Sequence, residues 1–347
     1  EEADVRNLRT IWFFNNDFSD SIFHYAPDNL FFFRRNNEWE KYYEEWSLLV
    51  STYIYGGSVK TGLQEAQRMF DDAKERKDEF GMGLAYSAMG NAYYNQNDLD
   101  NAEDAYRKSI NTLMNHQPIT DQLSPLFSSM CDLLEQRGKY TDLKELTIRW
   151  KLYLEKLEKE LKAPPDKMPM TNHWAHYYIA CAQADLGLNR LEHASENLNE
   201  ARLYILSEEE YTYRSWLFFK ARLCILQEFY PEALAFNNQR MRLLEGSDEH
   251  SEILMTLQQR AIIMTKLERY KEAAELYNKM YAINDSVNSY ESKQQLAEMN
   301  TIWEVDELKM KQAREQMQSI IAIASLIVGS LVIFIFFRIR SAKRLKK

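Results

Sequence analysis

Large and small side chains recur at matching positions of this chain, about forty residues apart. A small or medium-sized residue recurs in six segments, at Gly62, Ala102, Leu143, Ala194, Ala233 and Ala273. Three positions before each lies an apolar or aromatic residue, at Val59, Leu99, Tyr140, Leu191, Tyr230 and Tyr270. A further small residue lies twelve positions before each one, and a large residue lies sixteen before. Two helices approach closely only where one side chain is small, so the pattern predicts helical hairpins in register.

The clearest copy begins near Gly83 and reads GLAYSAMGNAYYNQNDLDNAEDAYRKSI, which resembles the tetratricopeptide repeat. Its signature positions are Tyr86, Gly90, Tyr93, Leu99, Ala102, Tyr106 and Ser109. That repeat has a usual period of about 34 residues, so a period near forty indicates a long-helix variant. The later copies are more degenerate, with Asn237 and Arg240 where apolar residues are expected. The resemblance implies an all-α fold, a right-handed α-solenoid of about seven hairpins.

The repeat pattern covers most of the chain before residue 290. Counting forty residues back from Gly62 reaches Ile22, so residues 1–41 are interpreted as a divergent capping repeat. Repeats then fill 42–160 and 172–289, separated by a proline-rich loop at 161–171, because three prolines in that run prevent a helix. The aromatic residues between Ile11 and Phe33 either pack beneath the second hairpin or form a stacking platform for a ligand.

Residues 319–337 are predicted to form a transmembrane helix, because the eighteen residues from Ile320 to Phe337 carry no charge. The segment 338–347 carries six positive charges, and positive flanks stay in the cytoplasm. We therefore expect a single-pass inner-membrane protein with a periplasmic N-terminal domain and a cytoplasmic C-terminus. That orientation requires export, so the start at Glu1 is interpreted as the residue left after removal of a signal peptide.

A heptad pattern occupies 290–318, directly before the predicted span. Its apolar positions are Leu296, Met299, Trp303, Met310, Ala313 and Met317, with Asp306 interrupting them. One interpretation is a dimeric signalling helix that continues into the membrane, which makes the full-length protein a homodimer. The alternative is a single helix that packs on the last hairpin as a cap.

Charge and cysteine content narrow the possible partners. Without the six basic charges of 338–347, 37 basic residues face 52 acidic ones, a net charge of −15 that disfavours nucleic acid as a partner of the outer domain. Cys131, Cys181 and Cys224 lie at or near small-residue positions and are expected to be buried free thiols.

The sequence carries no motif that indicates catalysis, and no cofactor is expected. His173 and His176 lie three residues apart on a predicted repeat helix, with Cys181 five residues further along. Aromatic residues crowd this segment, so we interpret the histidines as surface or groove residues and expect no metal site.

An outer stack of long repeats, the segment LAEMNTIWEVDELK, one span and a basic cytoplasmic start together resemble the sensor half of Gram-negative bacterial signalling proteins. The similarity is to membrane-bound histidine kinases with periplasmic tetratricopeptide repeats. Comparable input halves are also joined to SpoIIE-type serine phosphatases or to helix-turn-helix regulators. The resemblance implies a sensor module of a two-component or related system, whose output domain lies beyond Lys347. The alternative is a membrane-anchored scaffold that assembles envelope complexes.

Repeat stacks bind partners on a curved face, so we expect a protein or peptide ligand on the concave side, lined by first-helix residues. Counting from the repeat anchors places there Tyr43, Ser47, Ser87, Asn91, Tyr94, Asp132 and Gln183. Among these, only Asn91 matches the residue types of a carboxylate clamp. The competing interpretation is that the set consists of exposed polar residues without a ligand.

Overall fold

The structure is a computed structural model that describes residues 1–284, except 17, 118, 161–169, 209–210 and 248, together with Met317. The chain divides into two compact units, Glu1–Ser289 and Tyr290–Lys347. Apart from Met317, which is helical and exposed, the second unit lies outside the described residues. The predicted span at 319–337, the basic segment 338–347 and the other heptad positions therefore lie outside them too. None of the helices in the described part is both long and apolar enough to cross a bilayer.

The described part consists of fourteen helices, and no strand occurs among its residues. The first eight helices are α1 (Glu2–Asn15), α2 (Ser19–Arg35), α3 (Trp39–Tyr55), α4 (Val59–Arg76), α5 (Glu79–Asn95), α6 (Leu99–Leu113), α7 (Leu123–Gln136) and α8 (Tyr140–Glu160). The others are α9 (Met170–Gly187), α10 (Leu191–Tyr204), α11 (Tyr211–Leu226), α12 (Tyr230–Leu243), α13 (His250–Lys266) and α14, described over 270–284.

Consecutive helices pair into seven hairpins, which confirms the predicted helical-repeat fold. The second helices of the later hairpins begin at the apolar residues three positions before each anchor, such as Val59, Leu99 and Leu191. The first hairpin keeps the same offset, because α2 begins at Ser19 and Ile22 is 1% exposed. The helices α1 and α2 pair as the first hairpin, and α3 begins at Trp39.

Small residues allow the two helices of a hairpin to touch. A Cβ atom built on Gly90 of α5 would lie 2.4 Å from Cδ1 of Tyr106 on α6, so the ring occupies the space that a side chain would need. The anchor residue Ala102 is fully buried beside this contact. Large-beside-small packing therefore sets the separation of the helices, as the repeat pattern predicts.

The turns inside the second to seventh hairpins follow one design. A residue in the left-handed region ends the first helix, for example Asn97 with φ 58° or Gly138 with φ 67°. The next amide then donates back to a carbonyl five residues earlier, as Asp98 does to Tyr93 O at 2.9 Å. This bond satisfies carbonyls that the helix end leaves free, so short turns connect antiparallel helices.

A buried polar network joins the first hairpin to the second. Oε1 of Glu45 on α3 accepts hydrogen bonds from Nδ2 of Asn29 and Oγ1 of Thr10, each at 2.9 Å. Burial raises the pKa of Glu45 to about 7, against the opposing effect of these two donors. The aromatic residues between Ile11 and Phe33 differ in burial: Phe33 is buried, whereas Trp12 and Phe31 are exposed.

The degenerate repeats pack through polar rather than apolar contacts. Asn237 and Arg240 occupy positions expected to be apolar, and both are buried. Nδ2 of Asn237 donates to Thr256 O at 2.9 Å, and Nη2 of Arg240 lies 3.1 Å from Oε2 of Glu252. The repeat register therefore persists, because hydrogen bonds between α12 and α13 replace the apolar contacts expected at these positions.

Candidate binding site: two cavities on the inner helices

The first helices of successive hairpins, called the inner helices below, contact one another in a continuous row. This inner row runs from α1 through α3, α5, α7, α9 and α11 to α13. The second helices lie behind them and bury their apolar faces against the row. Two cavities are lined mainly by these first helices, with the second helix α12 also bordering the larger one, and each combines side chains from at least four hairpins. Both cavities are therefore candidates for the ligand site that the sequence analysis expects on the first helices.

The smaller cavity has a volume of about 360 Å³ and lies among α1, α3, α5, α7, α9 and the segment that leads into α7. Three of the sequence-predicted residues border it, namely Ser47, Ser87 and Asn91. Glu44 lies on the same wall, where burial and then the negative charge of Asp121 raise its pKa to about 7.

Asn91 has a structural role in addition to its position at the smaller cavity. Its Oδ1 accepts a hydrogen bond of 2.8 Å from the hydroxyl of Tyr106. Tyr106 is the ring that packs on Gly90, so Asn91 helps to fix the contact between α5 and α6. The amide oxygen keeps a second lone pair, so Asn91 can still accept from a ligand as well as donate to it.

The larger cavity has a volume of about 780 Å³ and is bordered by α5, α7, α11, α12 and α13. Tyr94 of the third hairpin and Ile262 of the seventh both border it, although 168 residues separate them in the sequence. The inner row is therefore curved enough to bring distant repeats around one space. Two sequence-predicted residues, Tyr94 and Asp132, lie here rather than at the smaller cavity.

One side of the larger cavity carries exposed apolar side chains. Tyr211 and Leu226 of α11 are 52% and 42% exposed, and Met255 and Ile262 of α13 are 46% and 39% exposed. Met255 and Ile262 are seven residues apart, so they lie two turns apart on one face of α13. A cluster of exposed apolar side chains inside a concave site is typical of a binding surface.

The opposite side is acidic and comes from α7. Glu135 is ion-paired with Arg222 of α11, and its other oxygen accepts a hydrogen bond from Gln183 of α9. Asp132 lies one turn earlier, and its Oδ1 is 3.4 Å from Nε2 of Gln183. Although its side chain is exposed to the cavity, enclosure by protein, with a smaller contribution from Glu135, raises the pKa of Asp132 to about 7.

The arginines that border the larger cavity already have carboxylate partners. Arg222 pairs with Glu135, and Arg240 pairs with Glu252 at 3.1 Å while its guanidinium stacks 4.9 Å from the ring centre of Phe218. Nε of Arg240 is buried and makes no hydrogen bond within the described part of the chain. Asp132 forms no ion pair with any described residue, so it is the charge at this cavity that lacks a counter-ion.

Two residues assigned to the concave face from the sequence do not border either cavity, and this corrects the sequence-based prediction. Tyr43 is fully buried because α5 covers it; a Cβ on Gly81 would lie 2.7 Å from its ring, and its hydroxyl donates to Asp72. Gln183 is 3% exposed because its amide is held between Asp132 and Glu135.

The residues singled out for possible metal chemistry are dispersed. Nδ1 of His176 lies 3.0 Å from Asn172 O, whereas His173 borders the smaller cavity, and burial lowers the pKa of both. In the described ranges, no cluster of three or more His, Cys, Asp or Glu side chains is arranged to hold a metal ion. Cys131, Cys181 and Cys224 are buried and free, as expected.

No protein-family model matches the sequence, and the curated proteins give no match. Solved structures with similarity to the chain include BtubC from P. vanneervenii, at 14% identity and a TM-score of 0.47, covering 66% of this chain and 92% of that one. A complex of the TPR2AB domain of yeast Sti1 with pHSP90 matches at 15% identity and a TM-score of 0.27, covering 79% and 98%. The apo quorum sensor NprR from B. thuringiensis matches at 9% and 0.29, covering 82% and 99%.

Proposed function

We propose that residues 1–289 form a polypeptide-binding module whose ligand occupies the larger cavity. The observation that carries this proposal is the cluster of exposed apolar side chains, Tyr211, Leu226, Met255 and Ile262, within a space of about 780 Å³. The side chains come from two inner helices and are faced by polar groups of a third. Such a combination supplies apolar contact area together with a few groups that orient a bound chain.

We further propose that this module is the extracytoplasmic sensor of a single-pass membrane protein. The uncharged run at 319–337 and the six positive charges that follow it support an inner-membrane anchor with the repeats in the periplasm. The heptad positions between Leu296 and Met317 support a helix that connects the repeats to the span. Ligand binding in the cavity would then change the state of a cytoplasmic output domain, for which a histidine kinase is the favoured type.

The second candidate function is a membrane-anchored scaffold that assembles envelope protein complexes. The same cavity and the same anchor serve that role without any output domain. The reading frame after codon 347 discriminates between the two. An output domain in that frame supports the sensor, whereas a stop codon at that point supports the scaffold.

Photo-crosslinking in the native host tests the binding site. A photoreactive phenylalanine analogue at Tyr211 is expected to crosslink the full-length protein to a polypeptide partner, because this side chain lies inside the larger cavity. The matched control is the same analogue at Ile148, a 60% exposed side chain on the second helix α8. Equal adducts at both positions, or an adduct at position 148 alone, would contradict the proposed site.

Dimeric coupling is tested separately by disulfide formation between protomers. Single cysteines at 299, 303 and 310 lie on the proposed seam, so they are expected to crosslink in membranes, whereas intervening positions crosslink weakly. Equal crosslinking at all positions, or none, would support the packed-cap interpretation of 290–318.

A further inference from the structure

The ion pairs at the larger cavity leave one carboxylate, that of Asp132, without a cationic partner among the described residues. Three carboxylates border it, Asp132, Glu135 and Glu252, together with two guanidinium groups, Arg222 and Arg240. Arg222 pairs with Glu135, and both Arg240 and the neighbouring Arg214 pair with Glu252, which leaves Asp132 with only the amide of Gln183 at 3.4 Å. A ligand that places a positive charge beside Asp132 supplies the ion-pair partner that this carboxylate lacks.

Enclosure makes Asp132 a stronger partner for a cation than a carboxylate on an open helix. The protein around Asp132 reduces its hydration, and the negative charge of Glu135 on the same helix repels it further. A carboxylate whose hydration is reduced in this way gains more from a cationic partner than one that bulk water already stabilises. The charge therefore contributes to affinity and to the choice of ligand.

A second polar group at the cavity, Nε of Arg240, lacks a hydrogen-bond partner among the described residues and indicates how a ligand backbone would be recognised. Arg240 is 3% exposed and borders the cavity, and its buried Nε has no acceptor among the described residues. The carbonyl oxygens of a polypeptide are acceptors of the required kind. An unsatisfied buried donor of this type costs stability until such an acceptor is supplied.

We propose that the larger cavity selects peptides or exposed protein segments in which a lysine or arginine is flanked by apolar residues. The basic side chain ion-pairs with Asp132, and the apolar side chains pack on Tyr211, Met255 and Ile262. This inference rests on the proposed function and specifies its ligand. A basic and apolar segment also complements the negative net charge of the domain that contains the cavity.

The test uses the full 347-residue chain in detergent micelles and a phage library of random dodecapeptides. Peptides selected on the wild-type protein are expected to be enriched in Lys or Arg beside apolar residues. Selection on Asp132→Asn should give apolar peptides without that enrichment. The control Asp71→Asn makes the same chemical change on the outer helix α4, where Asp71 is exposed, and should behave like the wild type.

Affinity measurements then assign the basic side chain to its partner. A selected peptide and its analogue with norleucine in place of the basic residue are compared by calorimetry. The analogue should bind the wild type at least tenfold more weakly, while Asp132→Asn binds both peptides within about twofold, a coupling of about 1.4 kcal/mol. An unchanged preference for the basic peptide in Asp132→Asn would overturn the assignment.

Failure of this inference is distinguishable from failure of the proposed function. Selected peptides are tested for crosslinking to the photoreactive analogue at Tyr211, which reports occupancy of the cavity whatever the charge of the peptide. Crosslinked peptides with no enrichment in Lys or Arg would overturn the ligand class alone. An absence of crosslinking by every selected peptide would overturn the proposed site itself.

Discussion

Arg222 of α11 is ion-paired with Glu135 of α7, a residue 87 positions earlier in the chain. Gln183 of the intervening helix α9 donates a hydrogen bond to the other oxygen of Glu135. Three successive inner helices are thus joined by side chains at the wall of the larger cavity. The bridge fixes the angle between the fourth, fifth and sixth hairpins at the place where the cavity forms.

Replacement of Arg222 by methionine should lower the free energy of unfolding by about 1 kcal/mol. The pair is partly exposed, with side-chain exposures of 26% and 23%, so its contribution is expected near the upper end for surface pairs. Urea denaturation of the full chain measures the change. The control Arg68→Met removes an ion pair with Glu65 within one exposed helix, and a loss as large as that of Arg222→Met would contradict the bridging role.

The packing of the third hairpin predicts an unusual effect of alanine in a helix. Replacing glycine by alanine in a helix interior is ordinarily favourable by about 1 kcal/mol. Gly90→Ala should instead destabilise the protein by about 1–3 kcal/mol, because the new Cβ would lie 2.4 Å from the ring of Tyr106. Thermal unfolding of Gly90→Ala, Tyr106→Ala and the double variant measures the coupling, and strict additivity would contradict a direct clash.

The polar contact between α12 and α13 predicts a large effect of a single truncation. Glu252→Ala leaves Arg240, which is 3% exposed, without its carboxylate and should cost about 3–5 kcal/mol. Glu252→Met combined with Arg240→Met should be less harmful, because the buried charge of Arg240 is removed together with its partner, while Arg214, the other partner of Glu252, stays 3.9 Å from Glu249. Chemical denaturation compares the two variants, and a double variant that is less stable than Glu252→Ala would contradict the account.

Much of this fold could be predicted from the sequence, because the repeat pattern records local packing. A small residue at Gly90 and a ring at Tyr106 are both visible in the sequence and meet in the structure. The starts of the second helices follow from the same register, even in the first hairpin at Ile22. These contacts lie within one hairpin, so a single repeat contains the information for them.

The cavities could be predicted only in part, because they depend on relations between hairpins. The cavities are bordered by Ser47, Ser87, Asn91, Tyr94 and Asp132, which the sequence analysis assigned to the concave face, whereas Tyr43 is covered by α5. The apolar residues of α11 and α13 were missed, since the curvature that accumulates over several repeats is not encoded in the register of any one of them. A signal was present in Met255 and Ile262, two apolar residues seven positions apart on a first helix.

The buried carboxyl group of Glu45 predicts that stability depends on pH. Burial raises its folded-state pKa from 4.5 to about 7, so its stabilising contribution is complete below pH 4.5 and is lost as the pH rises through about 7. The loss is on the order of 3 kcal/mol, since one pKa unit corresponds to about 1.4 kcal/mol. Glu44 and Asp132 have raised pKa values near 7 and titrate in the same window.

The share of Glu45 is obtained from the variant Glu45→Gln, which resembles the protonated carboxyl at every pH. Unfolding free energies at pH 5 and pH 8 should differ less for this variant than for the wild type. Exposed Glu192→Gln on α10 is the matched control and should keep the full dependence. An identical pH dependence in wild type and Glu45→Gln would exclude Glu45 as its source.

The affinity of a selected peptide for one double variant tests the larger cavity most directly as the binding site. Met255→Gln combined with Ile262→Gln removes exposed apolar surface from the cavity without disturbing the core, and should weaken binding at least tenfold, or by about 1.4 kcal/mol. Ile148→Gln with Leu152→Gln makes the same change on α8, where both side chains are about 60% exposed and outside both cavities. The account predicts unchanged affinity for this control, and equal loss in both variants, or loss in the control alone, would contradict it.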